Sequence, residues 1–203
     1  MLTKIFSLFL FFIKLKISFS IDNKDKILII IRHGKKISDD YTDLSPRGKA
    51  RAECLSTLFS DSGLKYIPSK LYANKRIETT TRSYDTLVTL AKILNLEIEE
   101  FEKSQADYFA NTTLRNDDHD VILVCSTHGV IPVITKVLGH EVSVREEEFD
   151  KYFIWKNGEF NYEGNQSDFI GKCIEEHEYN SDSFFLRKNI IKLFIYLLLI
   201  ILL

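Results

Sequence analysis

The sequence is poor in the residues that build several common kinds of functional site. Its 203 residues include only eight glycines, three prolines and three cysteines, and the net charge is −2. The few glycines form no glycine-rich phosphate loop of the P-loop or dinucleotide-binding type. An odd number of cysteines provides no disulfide framework. Near-neutral charge without a basic stripe argues against a nucleic-acid partner.

The hydrophobic content is high enough for a sizeable core. It amounts to 45% of the residues, and the length favours one domain of ordinary size. Continuous apolar runs at Ile27–Ile31 and Val121–Cys125 predict buried strands, and a briefer strand is expected around Leu71–Ala73. Cys125 lies within such a run, so we expect it in the core.

Amphipathic stretches follow these strands and predict helices. The first has Ser45 as its cap and Pro46 in its first turn, the second begins at Arg82, and the third begins near Pro132. Asn157-Gly158 predicts the turn of a late hairpin. Strands that alternate with helices favour an α/β fold, here a three-layer sandwich with a mainly parallel sheet.

Chemically versatile residues follow two of the predicted strands. Arg32-His33-Gly34 ends the first, and His128-Gly129 follows the strand at Val121–Cys125. Ligands of open parallel sheets bind beyond the carboxyl ends of the strands, where these segments meet. An imidazole can attack phosphorus, an arginine fork can bind two phosphoryl oxygens, and glycine lets the backbone approach a phosphate.

Arg82 is expected to complete this constellation. In the first turn of a helix it can project toward the strand ends, where free backbone N–H groups also favour an anion. Either histidine alone is more often an ordinary polar residue at a strand end. Together with Arg82 they predict a site for phosphoryl transfer.

The order of these motifs resembles the histidine phosphatase superfamily, whose fold is phosphoglycerate mutase-like. The matching segments are IIIRHGKK, TDLSPRGKARA, LYANK, TTTRSYDT and STHG, and the match covers about Ile27–Gly139. The sequence of this stretch also resembles that of a group of small fungal members of the superfamily. The resemblance implies the same fold. Little sequence separates Arg82 from the predicted strand at Val121–Cys125, which leaves no room for a large cap over the site.

The resemblance implies a role for each motif residue. His33 would be the nucleophile that becomes phosphohistidine, and His128 would donate to the phosphoryl group. Arg32 and Arg82 would hold its oxygens, and neither a metal nor another cofactor is expected. No motif marks the general acid, for which Asp107 is the candidate. The other acidic residues of that region are Glu99, Glu100 and Glu102.

Three functions fit this pattern. The first is a metal-independent phosphatase that acts through phosphohistidine on a phosphomonoester or similar substrate. The second is a non-catalytic surface protein that binds phosphorylated ligands. The third, a mutase, is disfavoured because it needs a closed pocket. Without a marked acid, leaving groups that need little protonation are expected, such as those of phosphohistidine, acyl phosphates or aryl phosphates.

The N-terminal residues 1–20 depart from globular composition. Lys4 precedes the apolar run Ile5–Ile13, and small residues precede an expected cut after Ser20. These features predict a secretory signal peptide, with an uncleaved anchor or a buried first element as alternatives.

The C-terminal residues 181–203 end in a hydrophobic tail. Ile190–Leu203 is nearly all leucine and isoleucine, interrupted by Lys192. The tail predicts either a GPI-attachment signal or a retained tail anchor. We therefore expect a folded domain at 21–180 that is membrane-anchored at the cell surface or secreted.

Two further patterns are weaker. Asn111-Thr112-Thr113 and Asn165-Gln166-Ser167 match the acceptor triplet for N-glycosylation, which would make the chain a glycoprotein. The cluster Asp117-Asp118-His119-Asp120 is expected to be a solvated turn before a strand, with a metal site as the alternative.

Overall fold

A computed structural model describes residues 25–38 and 42–178 as a six-stranded sheet flanked by five helices. The strands are β1 (Ile27–Arg32), β2 (Lys70–Asn74), β3 (Ile98–Phe101), β4 (Val121–Ser126), β5 (Lys151–Lys156) and β6 (Glu159–Asn165). The helices are α1 (Pro46–Leu58), α2 (Arg82–Leu94), α3 (Ala106–Tyr108, continued by a π-helix at Phe109–Leu114), α4 (Ile131–Val137) and α5 (167–178).

The strand order is β3-β2-β4-β1-β5-β6. The first four strands are parallel, and the hairpin of β5 and β6 joins β1 in antiparallel orientation. The prediction of a mainly parallel α/β sheet is therefore confirmed. Since β1 and β4 are neighbours, Arg32 pairs with Ser126 and the two strands end side by side.

Both faces of the sheet are covered. Along β1, Ile29 and Ile31 pack into one buried cluster with α1, α2 and α5. Leu28 and Ile30 point the other way, into a second cluster with the π-helix and α4. Successive side chains of a strand face opposite sides, so a continuous apolar run is what such a central strand requires.

Helix α1 begins as predicted. The Ser45 side chain accepts a hydrogen bond from the backbone N–H of Gly48, and Pro46 occupies the first helical position. Its first turn then lies against the loop after β1. A Cβ at Gly34 would stand 2.7 Å from the Gly48 carbonyl oxygen, so the two backbones touch. This contact explains the glycine in each motif.

Three features differ from the sequence-based expectations. Strand β3 and the helical segment after it were not expected, because "IEEF" is short and half acidic. Cys54 and Cys173 form a disulfide between α1 and α5 across 119 residues, which the odd cysteine count did not suggest. Cys125 is the remaining, buried thiol, as predicted.

The acidic cluster is a structural network, so the expectation of a solvated turn was wrong for its first member. Asp117 is only 8% exposed. Its carboxylate accepts hydrogen bonds from the Tyr72 hydroxyl at 2.7 Å and from the backbone N–H of His119 at 2.9 Å. These donors occupy both carboxylate oxygens.

The predicted signal segment 1–20 and tail 181–203 lie outside the described residues. Within 25–38 and 42–178, no helix combines the length and the apolar character that a membrane span needs.

We predict that Gly48→Ala destabilises the fold. The new Cβ would lie 2.9 Å from the Lys35 backbone nitrogen and closer still to its carbonyl oxygen. Overpacking of this kind costs about 1–3 kcal/mol, which urea unfolding would measure. Gly171→Ala is the matched control, since its Cβ meets only a Ser167 carbon at 3.7 Å and should stabilise α5 slightly. A Gly48→Ala protein as stable as the wild type would contradict the contact.

Candidate active site

His33 is buried directly beyond the carboxyl end of β1, with 4% of its surface exposed. Its Nδ1 lies 2.7 Å from the carbonyl oxygen of Gly34. A carbonyl only accepts hydrogen bonds, so Nδ1 must carry the proton. The lone pair of the neutral ring is therefore on Nε2, the tautomer that a nucleophile needs.

The surroundings keep His33 neutral. Burial lowers its pKa to about 3, the bond to Gly34 opposes this shift, and the positive charges of Arg32, Arg82 and Lys103 add to it. No proton competes for Nε2 at neutral pH.

Helix α2 holds the loop that carries His33. The backbone N–H of Gly34 donates to the Thr86 hydroxyl at 2.8 Å, and that hydroxyl donates to the Arg82 carbonyl at 2.7 Å. Thr86 is fully buried. The threonine of the segment TTTRSYDT therefore fixes the position of the loop relative to Arg82.

Arg32 is held from one side by a loop that sequence reasoning did not connect with it. Its Nη1 donates to the carbonyls of Arg145 at 2.8 Å and Glu148 at 3.1 Å, and also to that of Glu146. The Phe149 ring stacks on the guanidinium, 3.8 Å from centroid to Cζ. Burial lowers the arginine pKa to about 10, so it remains a cation at neutral pH.

The other terminal nitrogen of Arg32 points toward His128. Nη2 lies 3.4 Å from Nδ1 of His128. An arginine nitrogen only donates, so Nδ1 accepts and the proton of the neutral ring lies on Nε2. Burial, followed by the charge of Arg32, lowers the pKa of His128. His128 can therefore act as a neutral donor through Nε2.

Arg82 stands at the first position of α2, as predicted. Its Nε donates to the Thr80 hydroxyl at 3.1 Å. Its Nη1 is buried and has no hydrogen-bond partner among the described residues. A buried guanidinium nitrogen without an acceptor is available to an anion.

Lys103 and Asn74 belong to the same region and were missed by sequence reasoning. Lys103 comes two residues after β3, and its charge acts on His33. Burial, followed by the charge of Arg82, lowers the pKa of Lys103 itself. Asn74 ends β2 and is 2% exposed. Locating Lys103 required β3, whose short acidic sequence gave no sign of a strand.

Asp107 is an exposed residue of α3. Within the described ranges, no hydrogen bond or ion pair joins it to His33 or His128, and its role as the acid stays a prediction. The neighbouring acids are engaged elsewhere. Glu99, Glu100 and Glu102 form ion pairs with Lys70, Arg76 and Lys75, respectively.

Glycine is not required after His128. A Cβ at Gly129 would meet no atom within 4 Å, whereas one at Gly34 would meet the backbone of α1. Packing of the described residues therefore requires the glycine after His33 but not the glycine after His128.

In the part of the chain that the structure describes, the side-chain groups with metal-ligand spacing include neither His33 nor His128. One consists of Cys54, Cys173 and His177, but its two sulfurs are joined to each other. The other is the Asp117 cluster, whose first carboxylate is already hydrogen-bonded. The site around His33 instead presents cations and neutral imidazoles, which suit an oxyanion.

We predict that His33 makes stability depend on pH. Its pKa is about 3 in the fold against an ordinary 6.5, so the unfolded chain binds the proton more readily between these values. The free energy of unfolding should fall as pH drops from about 6.5 toward 3, by at most about 1.4 kcal/mol per unit from this group. When the free energy of unfolding is measured with urea at several pH values, it should depend less on pH in His33→Asn than in the wild type. An unchanged pH dependence would contradict the buried neutral imidazole.

Comparison with known proteins gives a match in structure alone. No protein-family model matches the chain, and no curated protein does. The solved structure of the protein histidine phosphatase SixA with tungstate aligns with a TM-score of 0.52 at 16% identity, covering 70% of this chain and 98% of that one. A mycobacterial glucosyl-3-phosphoglycerate phosphatase aligns at 0.46 and 12%, covering 64% and 88%. The first alignment shows that the chain shares the α/β fold of that phosphatase.

Proposed function

We propose that this protein is a metal-independent phosphatase that acts through a phosphohistidine intermediate. The observation that carries the proposal is the tautomer of His33. Its Nδ1–H donates to the Gly34 carbonyl, which leaves the lone pair on Nε2, and the positive charges of Arg32, Arg82 and Lys103 act on the same ring. The structural likeness to a protein histidine phosphatase supports the same conclusion.

The reaction proceeds in two displacements. The Nε2 lone pair of His33 attacks phosphorus, an N–P bond forms, and the bond to the leaving group breaks. Water then attacks phosphorus, loses a proton to solvent, and the N–P bond breaks to release inorganic phosphate. Arg32 and Arg82 stabilise the charge on the phosphoryl oxygens in both steps, and His128 donates from Nε2.

The leaving group determines the substrate class. Among the described residues, no carboxylate is hydrogen-bonded to His33 or His128, so substrates with weakly basic leaving groups are favoured. Phosphohistidine, acyl phosphates and aryl phosphates belong to this class. A depression of about 370 Å³ beside the loop after β1 offers space for the group that carries the phosphate. Its lining includes Lys35, Lys36, Ile37, Glu146, Glu147 and Phe149.

The alternative is a surface protein that binds phosphorylated ligands without hydrolysing them. The same lack of a placed acid favours it, since the donors would bind an anion whether or not a bond breaks. Turnover of an activated substrate separates the two functions.

We also propose that the chain enters the secretory route and is anchored at a membrane or secreted. The disulfide between Cys54 and Cys173 supports this, because structural disulfides persist in oxidising compartments. The predicted signal peptide, the tail and the acceptor triplet at Asn111 point the same way.

We predict that the full-length protein hydrolyses an aryl phosphate in the presence of EDTA and that His33→Ala abolishes turnover. No other group in the site can form the covalent intermediate. Arg82→Ala should lower kcat by about 10²–10³, as the loss of a transition-state donor does. Steady-state release of the aryl alcohol is the measurement.

Arg76→Ala is the matched control for the arginine variant. Arg76 lies close in sequence, but its guanidinium pairs with Glu100 and stacks on Tyr84, so activity should stay near the wild-type value. Residual turnover in His33→Ala would exclude the mechanism. Phosphate binding without any turnover would favour the binding protein.

We predict that protein captured from its native cells with thiols blocked at lysis carries two oxidised cysteines. After denaturation without reductant, the blocking reagent should be found on Cys125 alone. Reduction should then release two further thiols, those of Cys54 and Cys173. Mass spectrometry of the alkylated peptides counts them. Three blocked thiols before reduction would contradict export into an oxidising compartment.

A further inference from the structure

Asn74 ties together the three elements that surround the site. It ends β2, and its Oδ1 accepts hydrogen bonds from the Ser126 hydroxyl at 2.8 Å and the Thr127 backbone N–H at 3.1 Å. The Ser83 hydroxyl approaches the same oxygen at 3.4 Å. Thr127 precedes His128 and Ser83 follows Arg82, so the amide contacts the chain neighbours of two residues assigned to the phosphoryl group.

These donors determine the orientation of the amide. The oxygen and nitrogen of an asparagine are otherwise hard to tell apart, but a backbone N–H can only donate. The atom facing Thr127 must therefore be Oδ1. The Nδ2 group then points to the opposite side, away from Ser126 and Thr127.

The Nδ2 group has no acceptor. Asn74 is 2% exposed, and Nδ2 is buried without a hydrogen-bond partner in the described part of the chain. Nη1 of Arg82 is in the same condition. Burying a donor without an acceptor is unfavourable, and a ligand rich in acceptor oxygens at this sheet edge would satisfy both donors.

We propose that Nδ2 of Asn74 donates a hydrogen bond to the phosphoryl group, while Oδ1 holds the loop that carries His128. The inference rests on the proposed function for the reaction, but the contact itself requires only that the site binds phosphate. It adds a neutral donor to the cations Arg32 and Arg82. The same side chain then both binds the anion and positions the second histidine.

Inorganic phosphate tests the contact directly. In the full-length chain labelled with ¹⁵N at asparagine, titration with phosphate should shift one side-chain amide pair, and that pair should be missing in Asn74→Asp. Asn74→Leu removes the donor without adding charge and should weaken phosphate binding about 10-fold or more. Asn74→Asp should weaken it further, because a carboxylate would face the anion.

Ser126→Ala separates binding from positioning. It removes a partner of Oδ1 and leaves Nδ2 in place, so phosphate affinity should change much less than in Asn74→Leu. An equal loss in the two variants, or an Asn74 amide that stays unshifted at saturating phosphate, would overturn the inference.

The outcomes also separate this inference from the proposed function. Turnover of an aryl phosphate with an unshifted Asn74 amide would refute the contact and leave the phosphatase intact. A shifted amide without turnover would support the contact and refute the phosphatase in favour of the binding protein.

Discussion

The site depends on the close approach of two backbones at Gly34. Its Cα lies against Gly48 of α1, its N–H donates to the Thr86 hydroxyl of α2, and its carbonyl accepts a hydrogen bond from Nδ1–H of His33. A side chain at Gly34 would separate α1 from the loop and move the carbonyl that sets the tautomer. Helix packing and the tautomer of His33 therefore depend on the same residue.

The cations of the site serve the protein and the ligand at once. Nη1 of Arg32 donates to loop carbonyls, which offsets the cost of burying a guanidinium. Its Nη2 lies on the side of His128. Arg82 and Lys103 have no carboxylate partner among the described residues. Burial is the main cause that suppresses protonation of His33, and the positive charge adds to it. The same charge favours a dianionic ligand, so one electrostatic arrangement favours both anion binding and a neutral imidazole.

The motif residues could be predicted from sequence because their signals are local. A buried run followed by Arg32 and His33, or a cap followed by Pro46, is visible within a few positions. The partners of Arg32 in the loop after α4, the disulfide of Cys54 and the place of Lys103 depend on contacts across many residues, which no local pattern encodes. Glycine shows the same limit: Gly34 and Gly129 look alike in sequence, but only Gly34 is constrained by packing.

The surroundings of His33 bear on which substrates the proposed phosphatase would turn over. The charged groups that act on His33 are Arg32, Arg82 and Lys103, all positive. Such a field stabilises a departing anion as well as the phosphoryl oxygens, so a weakly basic leaving group can depart without a proton. A strongly basic alkoxide cannot depart in this way, because it needs a proton from an acid that contacts the leaving oxygen. A positive field and a general acid can thus each assist the departure of a leaving group, and the residues around His33 provide the positive field.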